Sequence, residues 1–74
     1  MIYTNDEAVI HVRFNGRSFD VPLSALDVGS RSRDVEIKRN LARHLEVSDA
    51  RLEDYVVDRH ANGNLTIRPE AVFG

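Results

Sequence analysis

The chain has 74 residues, 42% hydrophobic and 30% charged, a balance that fits one small globular domain and argues against a disordered chain. It has no cysteine, which excludes disulfides, thiolate metal sites and thiol nucleophiles, so the fold must hold by packing alone. Ten basic against twelve acidic residues give a formal charge of −2, the wrong sign for a protein whose whole surface grips nucleic acid.

No apolar run approaches the ~20 residues of a membrane span. Met1 to Glu7 lack the basic-then-apolar order of a secretion signal, and a cytoplasmic location is the resulting expectation.

In chain order, the first strong signal is Asn15-Gly16, set between two stretches rich in β-formers, Ala8–Phe14 and Arg17–Leu23. Asn-Gly accepts positive φ at both positions, as a type I′ hairpin turn requires. A two-residue turn sets Phe14 opposite Arg17, Val12 opposite Phe19 and Ile10 opposite Val21. One face then carries Ile10, Val12, Phe14, Phe19 and Val21, and the other carries His11, Arg13, Ser18 and Asp20. Slipping the pairing by one residue would scramble both faces. Pro22 cannot donate to a ladder and marks a strand end or an edge.

A connection from Ser24 to Arg33 follows, and Leu23, Leu26 and Val28 are expected to close one end of the core. The spacing of Val35, Ile37, Leu41, Ala42 and Leu45 then predicts an amphipathic helix. Ser32 is its expected N-cap, and Asp34 and Glu36 place negative charge in the first turn. Glu36–Arg39 and Arg43–Glu46 are i,i+3 pairs. The helix should end near Val47, with Ser48 capping a short turn that drops Leu52 into the core.

A second hairpin runs from Tyr55-Val56-Val57 to Leu65-Thr66-Ile67. A two-residue turn at Asn62-Gly63 would put Asp58 and His60 on the face of Leu65 and Ile67. A three-residue loop, Asn62 to Asn64, groups Val57 with Leu65 and Ile67 and sets Asp58 opposite Arg68, and burial favours it. Pro69 ends the strand. Residues 1–7 and 69–74 are expected to be flexible ends of one domain spanning 1–74.

Two hairpins around one helix have few compact solutions. The expected fold is α+β, a four-stranded mixed sheet with the helix across one face and the first and last strands parallel neighbours. From about Ala8 to Gly74 this pattern resembles the ubiquitin-like β-grasp superfamily. The resemblance lies in the hairpin at Asn15-Gly16, the helix around Ile37 to Leu45, the short turn holding Leu52 and the tail after the last strand. A β-grasp binding module without ubiquitin kinship fits the same pattern, and fold alone does not decide function.

The resemblance gives the tail a meaning. Ubiquitin-like modifiers and sulfur carriers present a carboxyl-terminal glycine that an E1-like activating enzyme adenylates, and Gly74 stands where that chemistry would act. Phe73 departs from the second glycine of ubiquitin and the sulfur carriers, although the autophagy modifiers do end in an aromatic residue and one glycine. The alternative is a chain that simply stops there. In ubiquitin-like proteins the outer sheet face commonly docks partners, and here His11, Arg13, Ser18, Thr66 and Arg68 would line it, so an interface there would be wet.

Five of the ten cations, Arg31, Arg33, Lys38, Arg39 and Arg43, fall within thirteen residues. They suit an anionic partner such as nucleic acid, but Asp34 and Glu36 interrupt them and no aromatics interleave, which favours a solvated helix face. His11 and Asp20 face each other across the first hairpin without a nucleophile or pocket beside them, so a cross-strand pair is the simpler meaning. His44 and His60 lack ligand spacing, and no metal or other cofactor is expected. No phosphate loop, nucleotide fingerprint or hydrolase motif is present.

The expectation is a non-enzymatic, monomeric module that binds other proteins, with His11, Arg13, Arg68, Arg39 and Arg43 as its candidate surface. Activation at Phe73-Gly74 is the competing expectation, and nucleic-acid binding through the helix arginines the weaker one.

Overall fold

The computed structural model describes residues 8–70. Strands β1 (Val9–Phe14) and β2 (Arg17–Pro22) lead through a 3₁₀ turn (Leu23–Leu26) to the helix α1 (Asp34–Leu45). A second 3₁₀ turn (Asp49–Leu52) precedes β3 (Tyr55–Arg59) and β4 (Leu65–Pro69). The sheet order is β2-β1-β4-β3, with β1 and β4 parallel at the centre and both outer pairings antiparallel.

The first hairpin follows its turn chemistry. Asn15 and Gly16 adopt φ of 54° and 76°, and the ladder pairs Phe14 with Arg17, Val12 with Phe19 and Ile10 with Val21. Ile10, Val12, Phe14 and Val21 are buried, while Phe19 packs against the core partly exposed. Pro22 closes β2, which is an edge strand. Leu23 and Leu26 are buried beneath the first 3₁₀ turn, with Val28 packed against them.

The helix buries Ile37, Leu41 and Ala42 against the inner face of the sheet, with Leu45 packed beside them. Val35 does not join this stripe and is 56% exposed. It lies only about 20° around the helix from buried Ala42 but two turns earlier, in the first turn, where it lines an open groove beside Asp49, Ala50 and Glu53. The expected cap is also displaced. Arg33 occupies the N-cap position, and Glu36 Oε1 accepts its N–H at 3.2 Å. Ser32 Oγ is already engaged, accepting the Gly29 N–H at 2.9 Å.

The helix stops at Leu45, two residues before its expected end. Glu46 takes a left-handed φ of 60°, its N–H donates to Arg43 O, and the Val47 N–H donates to Ala42 O, a Schellman closure. Among the described residues neither i,i+3 ion pair closes: Glu36 turns to the Arg33 N–H, and Glu46 lies in the terminating turn. Ser48 caps the second 3₁₀ turn as expected, accepting the Ala50 N–H at 3.1 Å, and Leu52 is fully buried.

The second hairpin corrects the expected register. The ladder pairs Val57 with Ile67 and Asp58 with Thr66, and the His60 N–H donates to Asn64 O, so the connection is Ala61 to Gly63. Relative to the expected pairing the strands have slid by two positions. A two-residue slide keeps every side chain on its face. Val57 therefore still lies with buried Leu65 and Ile67, but Asp58 meets Arg68 diagonally rather than directly. Gly63, with φ of 93°, supplies the positive-φ position, and Asn62 Oδ1 accepts the Asn64 N–H.

Pro69 is the last residue of β4, opposite Tyr55, and the Glu70 N–H donates to Asp54 O at 3.4 Å. The expected ends 1–7 and 71–74 lie outside the described residues. The result is a small α+β fold, one helix on a four-stranded mixed sheet, compatible with a β-grasp-like arrangement. No helix among the described residues is long and apolar enough to cross a membrane.

Candidate docking surface

Strand alternation divides the sheet into two unlike faces. With Ile10, Val12, Leu65 and Ile67 turned to the helix, the intervening residues form an outer face across all four strands. One cross-strand row reads Asp20, His11, Thr66, Asp58. In the next, Ser18 pairs with Arg13 and Arg68 with Val56, and one step along the parallel register from Val12–Ile67 sets Arg13 beside Arg68.

Most of this face is internally partnered. His11 Nδ1 lies 2.6 Å from Asp20 Oδ1, and since an ionised carboxylate only accepts, the imidazole donates. Arg68 Nε donates to Asp58 Oδ2 at 2.8 Å, with both side chains 40% exposed. His60 Nε2 and Thr66 Oγ1 share a hydrogen bond of 2.7 Å. Arg13 is exposed and makes no hydrogen bond or ion pair among the described residues.

The five residues expected to form one surface are divided by the fold. His11, Arg13 and Arg68 share the outer sheet face, whereas Arg39 and Arg43 project from the helix on the other side of the core. Arg39 lines a groove of about 520 Å³ between α1 and the second 3₁₀ turn, where Asp34, Asp49 and Glu53 offset its charge. Arg43 lines a different cleft, of about 150 Å³, beside Asp27 and His44. Acidic side chains thus flank both helix arginines. Phe73 and Gly74 lie outside the described residues.

A third groove, of about 450 Å³, opens where the Asn15-Gly16 turn meets the end of β4. Arg13, Arg17 and Arg68 line it, together with Pro69 and Glu70. Arg17 was not singled out in the sequence, yet its place just after the Asn-Gly turn returns it to the neighbourhood of Arg13. Behind the turn, Arg51 donates to Asn15 Oδ1 at 3.0 Å and lies 5.1 Å from the Phe14 ring centroid. This contact from the second 3₁₀ turn braces the hairpin tip from the side opposite the groove.

Other polar contacts with structural roles gave little sequence signal. Arg59 donates to Ser30 O and Ser32 O at 2.8 and 2.7 Å and to Asp34 Oδ1 at 2.6 Å, pinning the connection that enters α1. Asn64 Oδ1 accepts the Val9 N–H at 3.1 Å, tying the second hairpin loop to the start of β1. Asn40, between Ile37 and Leu41 in the helix, donates to Leu26 O at 2.7 Å. A polar residue so close to an apolar stripe is the one hint that a cross-element bond was waiting there.

Among the described residues no group of three or more His, Asp or Glu side chains is arranged to hold a metal ion. Compared with protein-family models, curated proteins and solved structures, the chain finds no match in any of the three.

Proposed function

We propose that this chain is a small, non-enzymatic module of the ubiquitin-like β-grasp type that docks other proteins on the outer face of its sheet. The central parallel strand pair, the flanking hairpins and the single helix support the ubiquitin-like kinship. The observation that carries the docking role is the outer face itself. It runs across four strands, no helix or strand among the described residues covers it, and it bears an ordered set of polar side chains.

Its chemistry fits a wet, reversible contact. The pairs His11–Asp20 and Arg68–Asp58 hold their side chains in place while leaving them partly exposed, so they meet a partner already oriented. Few apolar groups are available there, which suits a modest interface bridged by water.

The test is capture from the native host with an amino-terminally tagged chain, comparing wild type, Arg13→Glu and a Gly74 deletion. Docking predicts that Arg13→Glu loses partners that the Gly74 deletion keeps. Mass-shifted covalent adducts present in wild type and absent from the Gly74 deletion would replace docking with carboxyl-terminal activation. An identical partner set in all three would remove the outer face from consideration.

A further inference from the structure

The outer face contains one arrangement that folding alone does not favour. Arg13 and Arg68 stand side by side on adjacent strands, whose backbones run about 4.8 Å apart. Like charges directly across a sheet are destabilising. Asp58 relieves Arg68, but no acidic residue among those described reaches Arg13. Arg17, at the tip of the same hairpin, also lines the groove and has no side-chain partner among the described residues, although its pairing with Phe14 starts its side chain from the inner face. Glu70 is the one carboxylate lining that groove.

We propose that this groove is the specificity-determining part of the docking face, and that it takes an acidic protein segment whose Asp or Glu carboxylates meet Arg13 beside Arg68, with Arg17 at the groove's rim. The inference rests on the docking role proposed above and names the partner's chemistry. Guanidinium groups suit this task because their planar forks match a carboxylate edge to edge. The site is also rigidly held. Its backbone is a type I′ turn braced by Arg51, so ordering on binding falls on the arginine side chains rather than on the backbone.

Charge complementarity selects an acidic peptide over a nucleic acid. A polyphosphate strand crossing this face would meet Asp20, Asp58 and Glu70 as well as the arginines, and no aromatic side chain lines the groove for a base to stack on. A peptide can set its carboxylates on Arg13 and leave neutral or basic side chains over Asp20. The chain's overall charge of −2 gives it no general attraction for anions, so binding should be confined to this corner.

The experiment is a titration of the isotope-labelled full chain, followed by amide NMR, with three probes. These are an eight-residue Glu/Asp peptide, a Gly/Ser peptide of equal length and a single-stranded DNA octamer. The expected result is shifts at Arg13 to Arg17 and Arg68 with the acidic peptide only. Binding should weaken about three- to tenfold in Arg13→Gln, further in the Arg13→Gln/Arg17→Gln pair, and with added salt, while Arg43→Gln on the helix stays unchanged. The amide spectrum of each variant reports directly that it remains folded.

No shift with the acidic peptide overturns the proposal, as does equal weakening by Arg43→Gln or tighter binding of the DNA. Failure here is separable from failure of the docking role. A host partner lost in Arg13→Glu, combined with no acidic-peptide binding, leaves the docking face standing and removes its acidic specificity.

Discussion

The two faces of this sheet are built by different physics from alternate residues of the same strands. Ile67 and Thr66 are neighbours in β4, yet Ile67 is fully buried under the helix while Thr66 faces outward and shares a hydrogen bond with His60. On the inner face, removal of apolar area from water sets the arrangement, and each position tolerates few residues. On the outer face, exposed ion pairs contribute little to stability, so selection there is free to follow a partner. Function is therefore to be sought on the face whose residues the fold does not need.

The sharpest way to break this contrast is to cut into the inner face. Ile67→Ala should cost about 2–5 kcal/mol, a large share of what a domain this small holds in reserve. Urea unfolding should show a greatly lowered midpoint or an unfolded protein. A loss under about 1 kcal/mol would mean that the sheet and helix are not packed as described.

Arg59 tests whether the inner side also depends on a polar anchor. It lies two residues beyond Val57 in β3 and holds the connection before α1 through three hydrogen bonds. Arg59→Met should lower stability by about 1–2 kcal/mol. Amide exchange should quicken at Ser30 to Arg33 and leave β1 and β2 unchanged. Uniform quickening would assign Arg59 to the global core instead.

Gly16 belongs to the turn that both faces share. A Cβ there meets nothing within 4 Å, but φ is +76°, so Gly16→Ala is strained through the backbone alone. A cost of about 1 kcal/mol is expected from urea midpoints, with the ladder pairing retained in the amide spectrum.

The smallest effect belongs to the outer face. In the His11–Asp20 pair the side chains are 47% and 60% exposed, and Asp20→Asn should change stability by less than about 0.5 kcal/mol. Measured at low and high salt, the difference should shrink further. A loss comparable to that of Ile67→Ala would erase the distinction between the faces.

Much of the inner face was legible in the sequence. Asn15-Gly16 set the first hairpin and its register, because the turn type demands positive φ at two positions and the apolar pattern agrees with it. The second hairpin was legible only in its faces. Burial of Val57, Leu65 and Ile67 is equally well satisfied by registers two residues apart, and the longer loop around Gly63 imposes no unique count. Val35 was misplaced because helical spacing fixes an angle and not how far along the helix the core extends, and Ser32 because its hydroxyl was needed by Gly29.

The candidate site was legible in part. His11, Arg13 and Arg68 share a face because alternation along a strand is strict. Arg39 and Arg43 were grouped with them by charge alone, and the helix carries them to the other side of the core. Arg17, Arg51 and Arg59 were missed, since long side chains that reach across elements leave no periodic trace. What they touch depends on tertiary placement that no local pattern encodes.

The most direct test of the account places a photo-crosslinking residue at Ser18, on the outer face beside Arg13, or at Arg43 on the helix, in the native host. The account predicts protein adducts from Ser18 and none of matching size from Arg43. Adducts from Arg43 alone would contradict it and move the docking surface to the helix.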